Sequence, residues 1–149
     1  MLLYRLACKM VNDIDSASDI VQEVFIYLHE KLQDGHQVNH LRGWLSKAVY
    51  NRCIDYLRKP KRNVGLKSLK NHSTENAALE VAETKTAINE ALDKLNLNEK
   101  TLAILYSEGF SYKEMAEISG IKMSSIGTTL SRTLKKLKKE LTLMGHELH

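Results

Sequence analysis

The C-terminal third of the chain concentrates side chains suited to work on a polyanion. Stepping about 100° per residue from Ser125, the α-helical increment, gathers Ser125, Thr128, Thr129, Arg132, Lys135, Lys136 and Lys139 on one face. Ile126, Leu130, Leu134, Leu137 and Leu141 fall on the opposite one. A helix anchored by leucines and presenting hydroxyls, then cations, is equipped to reach base edges from its first turns and phosphates farther along. The segment ahead of it completes a helix-turn-helix. Ser111 with Glu114 three residues on makes a capping box, Met115, Ala116 and Ile118 supply an apolar side, Gly120 ends the short helix, and Ile121 is placed to pack in the turn. A solvated face on a bundle helix would show the same charges, but the capped helix-turn-helix in front favours nucleic acid. Gly127, in the helix interior, is expected to cost about 1 kcal/mol against alanine.

A second constellation lies between Leu41 and Arg62. Leu41, Leu45, Ala48, Val49 and Cys53 fall on or near one side of a helix and read as core. The other side carries Trp44, Lys47, Asn51, Asp55 and Arg58, with Lys59, Lys61 and Arg62 following at the helix end. Cations interleaved with an aromatic ring that stacks on an unpaired base suit a single-stranded nucleic acid. A buried Trp44 in a helix with a basic surface is the competing reading.

The third group is acidic. In Ser18 to Gln33, Val21, Val24, Phe25 and Leu28 recur at i, i+3, i+4, i+7 and are expected in the core. Asp19, Gln22 and Glu23 occupy another face. Such a face repels DNA, so it is either merely solvated or a docking surface for another protein, and the residues alone leave the two even.

These faces need helices to carry them, and the breaks in pattern set the helices. The first half reads as Leu2 to Asn12, Ser18 to Gln33 and Leu41 to Lys59, separated by capping residues at Asp13 to Ser16 and a turn at Asp34-Gly35, and stopped by Pro60. Residues 61–84 are polar and without sustained period, the mark of a flexible linker. Periodicity resumes with Ala87, Ile88, Ala91, Leu92 and Leu95, then a helix around Glu99 to Ser107, then the helix-turn-helix, with turns at Glu108-Gly109 and Gly120. The expected fold is all-α, with small helical domains over residues 1–60 and 85–149.

Composition agrees with that layout. One proline, seven glycines and 27% charged residues in 149 describe a helix-rich soluble chain. The net charge of +4 is unevenly spread: residues 1–30 hold two basic and five acidic side chains, residues 42–62 seven basic and one acidic. Residues 63–99 are mildly acidic, and residues 100–149 hold eight basic against five acidic. Two separated basic zones favour a polyanion touched at two places. Cys8 and Cys53 lack any metal-ligand spacing and read as small buried hydrophobes with reduced thiols in a cytoplasmic protein; the histidines, including terminal His146 and His149, are scattered. No metal or cofactor is expected. No apolar run reaches the roughly 20 residues of a membrane span, and no cluster of carboxylates, ligands or nucleophiles makes a catalytic site.

Three stretches in order resemble the extracytoplasmic-function sigma factors of bacterial RNA polymerase: ASDIVQEVFIYL (Ala17 to Leu28) their region 2.2, LRGWLSKAVYNRCIDYLRKPKR (Leu41 to Arg62) their regions 2.3 and 2.4, and GFSYKEMAEISGIKMSSIGTTLSRTLKKLKKEL (Gly109 to Leu141) their region 4.2. The resemblance implies a subunit without catalytic activity that lends core polymerase its promoter specificity. It implies that Asp19, Gln22 and Glu23 dock on the clamp helices of the beta-prime subunit, with the beta flap a further contact. Trp44, Lys47, Asn51, Arg58, Lys61 and Arg62, with the loop from Gln33 to His40, would open the minus-ten element and hold its non-template strand. Ser124, Ser125, Thr128, Thr129, Arg132, Lys135 and Lys136 would face the minus-thirty-five element, and an anti-sigma factor is an implied partner. Melting on this view is a population shift, in which binding of extruded bases offsets their unstacking.

The sequence departs from the family in two places. The family ordinarily carries more residues ahead of region 2.2, so most of the first helix of region 2 is expected to be missing. It also commonly shows lysine and arginine where this chain has Gly127 and Thr129, which weakens the transfer of base contacts to those positions. The rival class is a stand-alone helix-turn-helix regulator that binds operator DNA without polymerase, and no spare segment supplies the dimerisation surface or effector pocket it needs.

Overall fold

The computed structural model describes residues 2–59, 87–143 and 145, and the regular structure among them is all helical, with no strand. Seven helices follow one another: α1 (Leu2–Val11), α2 (Ile14–Gln33), α3 (Leu41–Arg58), α4 (residues 87–93), α5 (Leu97–Ser107), α6 (Tyr112–Ser119) and α7 (Met123–Leu143). They divide into two compact units, one holding α1 to α3 and the other α4, α5, α7 and α6 as far as Ala116. The linker expected over residues 61–84, and with it Lys61 and Arg62, lies outside the described residues.

In the first unit each of the three helices packs on the other two. Leu3, Leu6, Ala7, Met10 and Val11 of α1 are buried. The helix ends where Asn12 turns left-handed at φ 57°, a conformation asparagine tolerates better than most residues. Asp13 then caps α2, its carboxylate accepting from Asp15 N–H at 3.1 Å and from the Ser16 hydroxyl at 2.7 Å. That cap starts α2 four residues ahead of the Ser18 expected from the apolar pattern.

Ala17, Ile20, Val21, Val24 and Leu28 form the buried stripe of α2. Phe25, expected in the core, is 42% exposed; it lies about 80° round from Ala17, at the stripe's edge. In α3, Leu45, Val49 and Cys53 are buried as expected, together with Ser46, Tyr50 and Ile54. Leu41 is 49% exposed and Ala48 half-buried, because α3 is covered by both α1 and α2 and its buried arc is rotated away from those two positions.

The second unit is built around α5, in which every residue from Thr101 to Leu105 is buried. Asn96 starts it through a complete capping box: its side chain accepts from Glu99 N–H at 2.9 Å, and the Glu99 carboxylate accepts from Asn96 N–H at 3.3 Å. Helix α7 packs along α5. Farther along α7, Leu141 forms a small cluster with Ala87 and Ala91 of α4, flanked by Leu137, while Ile88 of α4 faces outward.

Candidate nucleic-acid interface

The helix-turn-helix forms as its sequence predicts. Ser111 Oγ accepts from Glu114 N–H at 3.1 Å, and Glu114 Oε1 accepts from Ser111 N–H at 3.2 Å, so the capping box starts α6. Gly120, at φ 77°, makes the turn into α7. Ile126, Leu130 and Leu141 hold α7 to the core. Leu134, assigned to the same stripe, is 38% exposed, and Thr133 is buried in its stead. The Thr133 hydroxyl donates to the Thr129 carbonyl at 2.7 Å, which removes the cost of burying it.

On the outer face of α7, Ser124, Ser125, Thr128, Arg132, Lys135 and Lys139 are exposed, and Thr129 is half-buried. Lys136 differs from its neighbours: its Nζ lies 2.7 Å from Glu99 Oε2 on α5. The hydrogen bond from Lys136, aided by that from Asn96 N–H, holds the Glu99 carboxyl below its ordinary range against the opposing effect of burial. Gly127 sits beside Tyr112 of α6. A β-carbon there would lie 3.5 Å from the tyrosine ring, an ordinary contact distance.

On α3, Lys47, Asn51, Asp55 and Arg58 are exposed on one side, and Trp44 is half-buried beside them. The Trp44 ring stacks on Tyr27 of α2, with centroids 5.8 Å apart and planes inclined by 17°. Two cations border that tyrosine: Lys31 Nζ lies 5.2 Å from its centroid and the Arg52 guanidinium 6.0 Å. Arg52 also reaches Glu23 at 3.5 Å. The structure therefore brings Trp44 together with Tyr27, Lys31 and Arg52, none of which stood out in the sequence. Tyr27 was hidden because adjacency across α2 and α3 has no local signal; only its lack of a place in the buried stripe pointed outward.

Asp19, Gln22 and Glu23 are all exposed on α2, as expected of a solvated or docking face. Neither cysteine is a ready nucleophile. Burial pushes the Cys53 thiol up to about 12, with the neighbouring Cys8 adding to it. Burial also raises Cys8, against a hydrogen bond with Tyr4 that pulls the other way. The structure thus presents exposed hydroxyl, basic and acidic helix faces. Among the described residues no three or more His, Cys, Asp and Glu side chains gather as a metal site would require.

Comparison with known proteins assigns these faces to a family. A model described as sigma-70 region 2 matches residues 1–63, and one described as sigma-70, region 4 matches residues 85–137. RNA polymerase sigma factor SigV of Bacillus subtilis (strain 168) is 32% identical over 142 residues, spanning 93% of this chain and 84% of the relative. The chain belongs to the extracytoplasmic-function sigma factors. ECF RNA polymerase sigma factor SigM of the same strain is 29% identical over 144 residues, spanning 91% of this chain and 86% of the relative. Two solved structures share the fold at 22% identity and a TM-score of 0.69. One is CnrH in complex with the cytosolic domain of CnrY, covering 95% of this chain and 81% of that one. The other is the sigma factor RpoE in complex with the anti-sigma factor NepR from Bartonella quintana, covering 94% and 89%.

Sigma factors are non-catalytic transcription initiation factors, and this chain is an alternative sigma factor for RNA polymerase. The acidic α2 face and the α3 face of this sigma factor fall inside the region 2 match. The helix-turn-helix falls inside the region 4 match as far as Leu137, with Lys139 just past its end. Among the described residues no helix is long and apolar enough to cross a membrane.

Proposed function

We propose that the chain works as a cytoplasmic, non-enzymatic adaptor whose three faces divide promoter opening among them. Its layout is a region 2 domain over residues 1–60, a linker over 61–84 and a region 4 domain over 85–149. Asp19, Gln22 and Glu23 dock on the beta-prime clamp of core polymerase, and the region 4 domain rests on the beta flap. Trp44, stacked on Tyr27 with Lys31 and Arg52 close by, receives an extruded base of the minus-ten element. Lys47, Asn51 and Arg58, continued by Lys61 and Arg62, follow the strand's phosphates. Ser124, Ser125, Thr128, Thr129 and Arg132 enter the major groove of the minus-thirty-five element, with Lys135 on its phosphates. An anti-sigma factor holds the chain off polymerase until it is needed.

The observation that carries this reading is the pairing, in one chain, of a capped helix-turn-helix with exposed hydroxyls and cations on α7 and a separate aromatic and basic face on α3. Together they supply the duplex contact and the single-strand contact that opening a promoter requires. Run-off transcription with core polymerase on a genomic promoter library tests it. Addition of the chain should yield new, discrete start sites with shared sequences upstream. Operator binding without polymerase, and no new transcripts with it, would instead make the chain a stand-alone regulator.

A further inference from the structure

Lys136 stands in the basic run of α7, yet its ammonium is turned to a carboxylate inside the unit. Glu99 is only 6% exposed and uses one oxygen for each of two tasks. Oε1 accepts from Asn96 N–H at 3.3 Å and closes the capping box of α5, while Oε2 meets Lys136 Nζ at 2.7 Å. The Glu99 side chain is only 8% exposed, so loss of Lys136 would strand its charge, whereas the Lys136 side chain is 58% exposed and would be rehydrated on loss of Glu99. Lys135, Lys136 and Lys139 are all exposed on the same helix, and Lys136 is set apart by the 2.7 Å approach of its ammonium to Glu99.

We propose that Glu99 is a positioning residue for promoter recognition: through Lys136 it pins α7 to the first turn of α5, and it thereby withdraws Lys136 from the set of lysines that meet DNA phosphates. The proposal rests on the assignment of α7 to the minus-thirty-five element and assigns a new role within it. The base-reading turns of α7 lie N-terminal to the pinned position, so the pair sets how the helix is presented to the groove. The charge of Lys136 is already neutralised locally, so it releases no counterion when DNA binds.

The test uses holoenzyme assembled from core polymerase and the full chain. Two quantities are measured: the salt dependence of binding to a labelled promoter duplex, and selection from a library randomised across the minus-thirty-five element. K135M or K139M should each make the salt slope shallower by about 0.9, the value of one phosphate contact, whereas K136M should leave it unchanged. E99Q, which retains an acceptor for Asn96 N–H, should lower discrimination between the selected sequence and its single-base variants by about fivefold, the upper range for a partly exposed pair. If a single variant folds poorly, E99Q/K136M leaves no unpaired charge and should combine the wild-type slope with the reduced discrimination of E99Q. A K136M slope as shallow as that of K139M, or E99Q selection indistinguishable from wild type, overturns the proposal. Unchanged slopes for all three lysine variants would sink the assignment of α7 to DNA, and the proposal with it.

Discussion

At the residue scale, Trp44 joins an observed packing contact to the base-binding role proposed for it. Its stack on Tyr27 is of a kind worth about 0.5–1.5 kcal/mol beyond area burial, and it holds the indole in place before any base arrives. Trp44→Ala should therefore lower the melting temperature by a few degrees. It should also reduce permanganate-detected promoter opening about tenfold, within the range for loss of one stacked base, with a smaller effect on closed complexes. Equal loss of both complexes would mean that the ring serves only the fold. Ser46 is the opposite case, a fully buried hydroxyl with no hydrogen-bond partner among the described residues. Ser46→Ala removes an unsatisfied polar atom and should raise stability by about 1 kcal/mol in chemical denaturation. A loss of stability would mean that the hydroxyl is satisfied in solution.

At the element scale, caps decide where helices begin, and their pattern is local enough to read from the chain. Ser111 with Glu114 announced the start of α6, and the structure holds both reciprocal bonds. Helix α2 starts at Ile14 and not at the Ser18 that apolar spacing predicts, because the Asp13 side chain satisfies an orphan donor of the first turn, Asp15 N–H. Helix α5 carries a consequence for acid stability. Glu99 is held below its ordinary value of 4.5 in the folded chain, first by the hydrogen bond from Lys136. The folded state thus binds its proton less readily than the unfolded state. The stabilisation is fully present above pH 4.5 and is lost as pH falls through the lower, folded value. Glu99→Gln should flatten that part of the acid limb in a stability profile followed by circular dichroism. A wild-type profile in the variant would show that other carboxylates account for the limb.

At the scale of the whole molecule, the two units each complete a core of their own, so loss of one partner face should leave both folded. Replacing Asp19 and Glu23 together by lysine should abolish co-purification with core polymerase while far-ultraviolet circular dichroism stays unchanged, since both side chains are exposed. The Arg52 contact given up by Glu23 is long and solvent-screened. Retained co-purification would remove the docking role from this face. The sequence by itself determined the all-α class, the helix-turn-helix with its capping box, and the hydroxyl and basic face of α7, because each rests on spacing within one helix or turn. The tertiary structure alone decided which apolar residues are core: Phe25, Leu41 and Leu134 lie at stripe edges, where burial depends on how many neighbouring helices cover the arc. It alone set Tyr27 against Trp44 and Glu99 against Lys136, because those contacts join residues on different helices, and no periodicity within either helix encodes the distance between them.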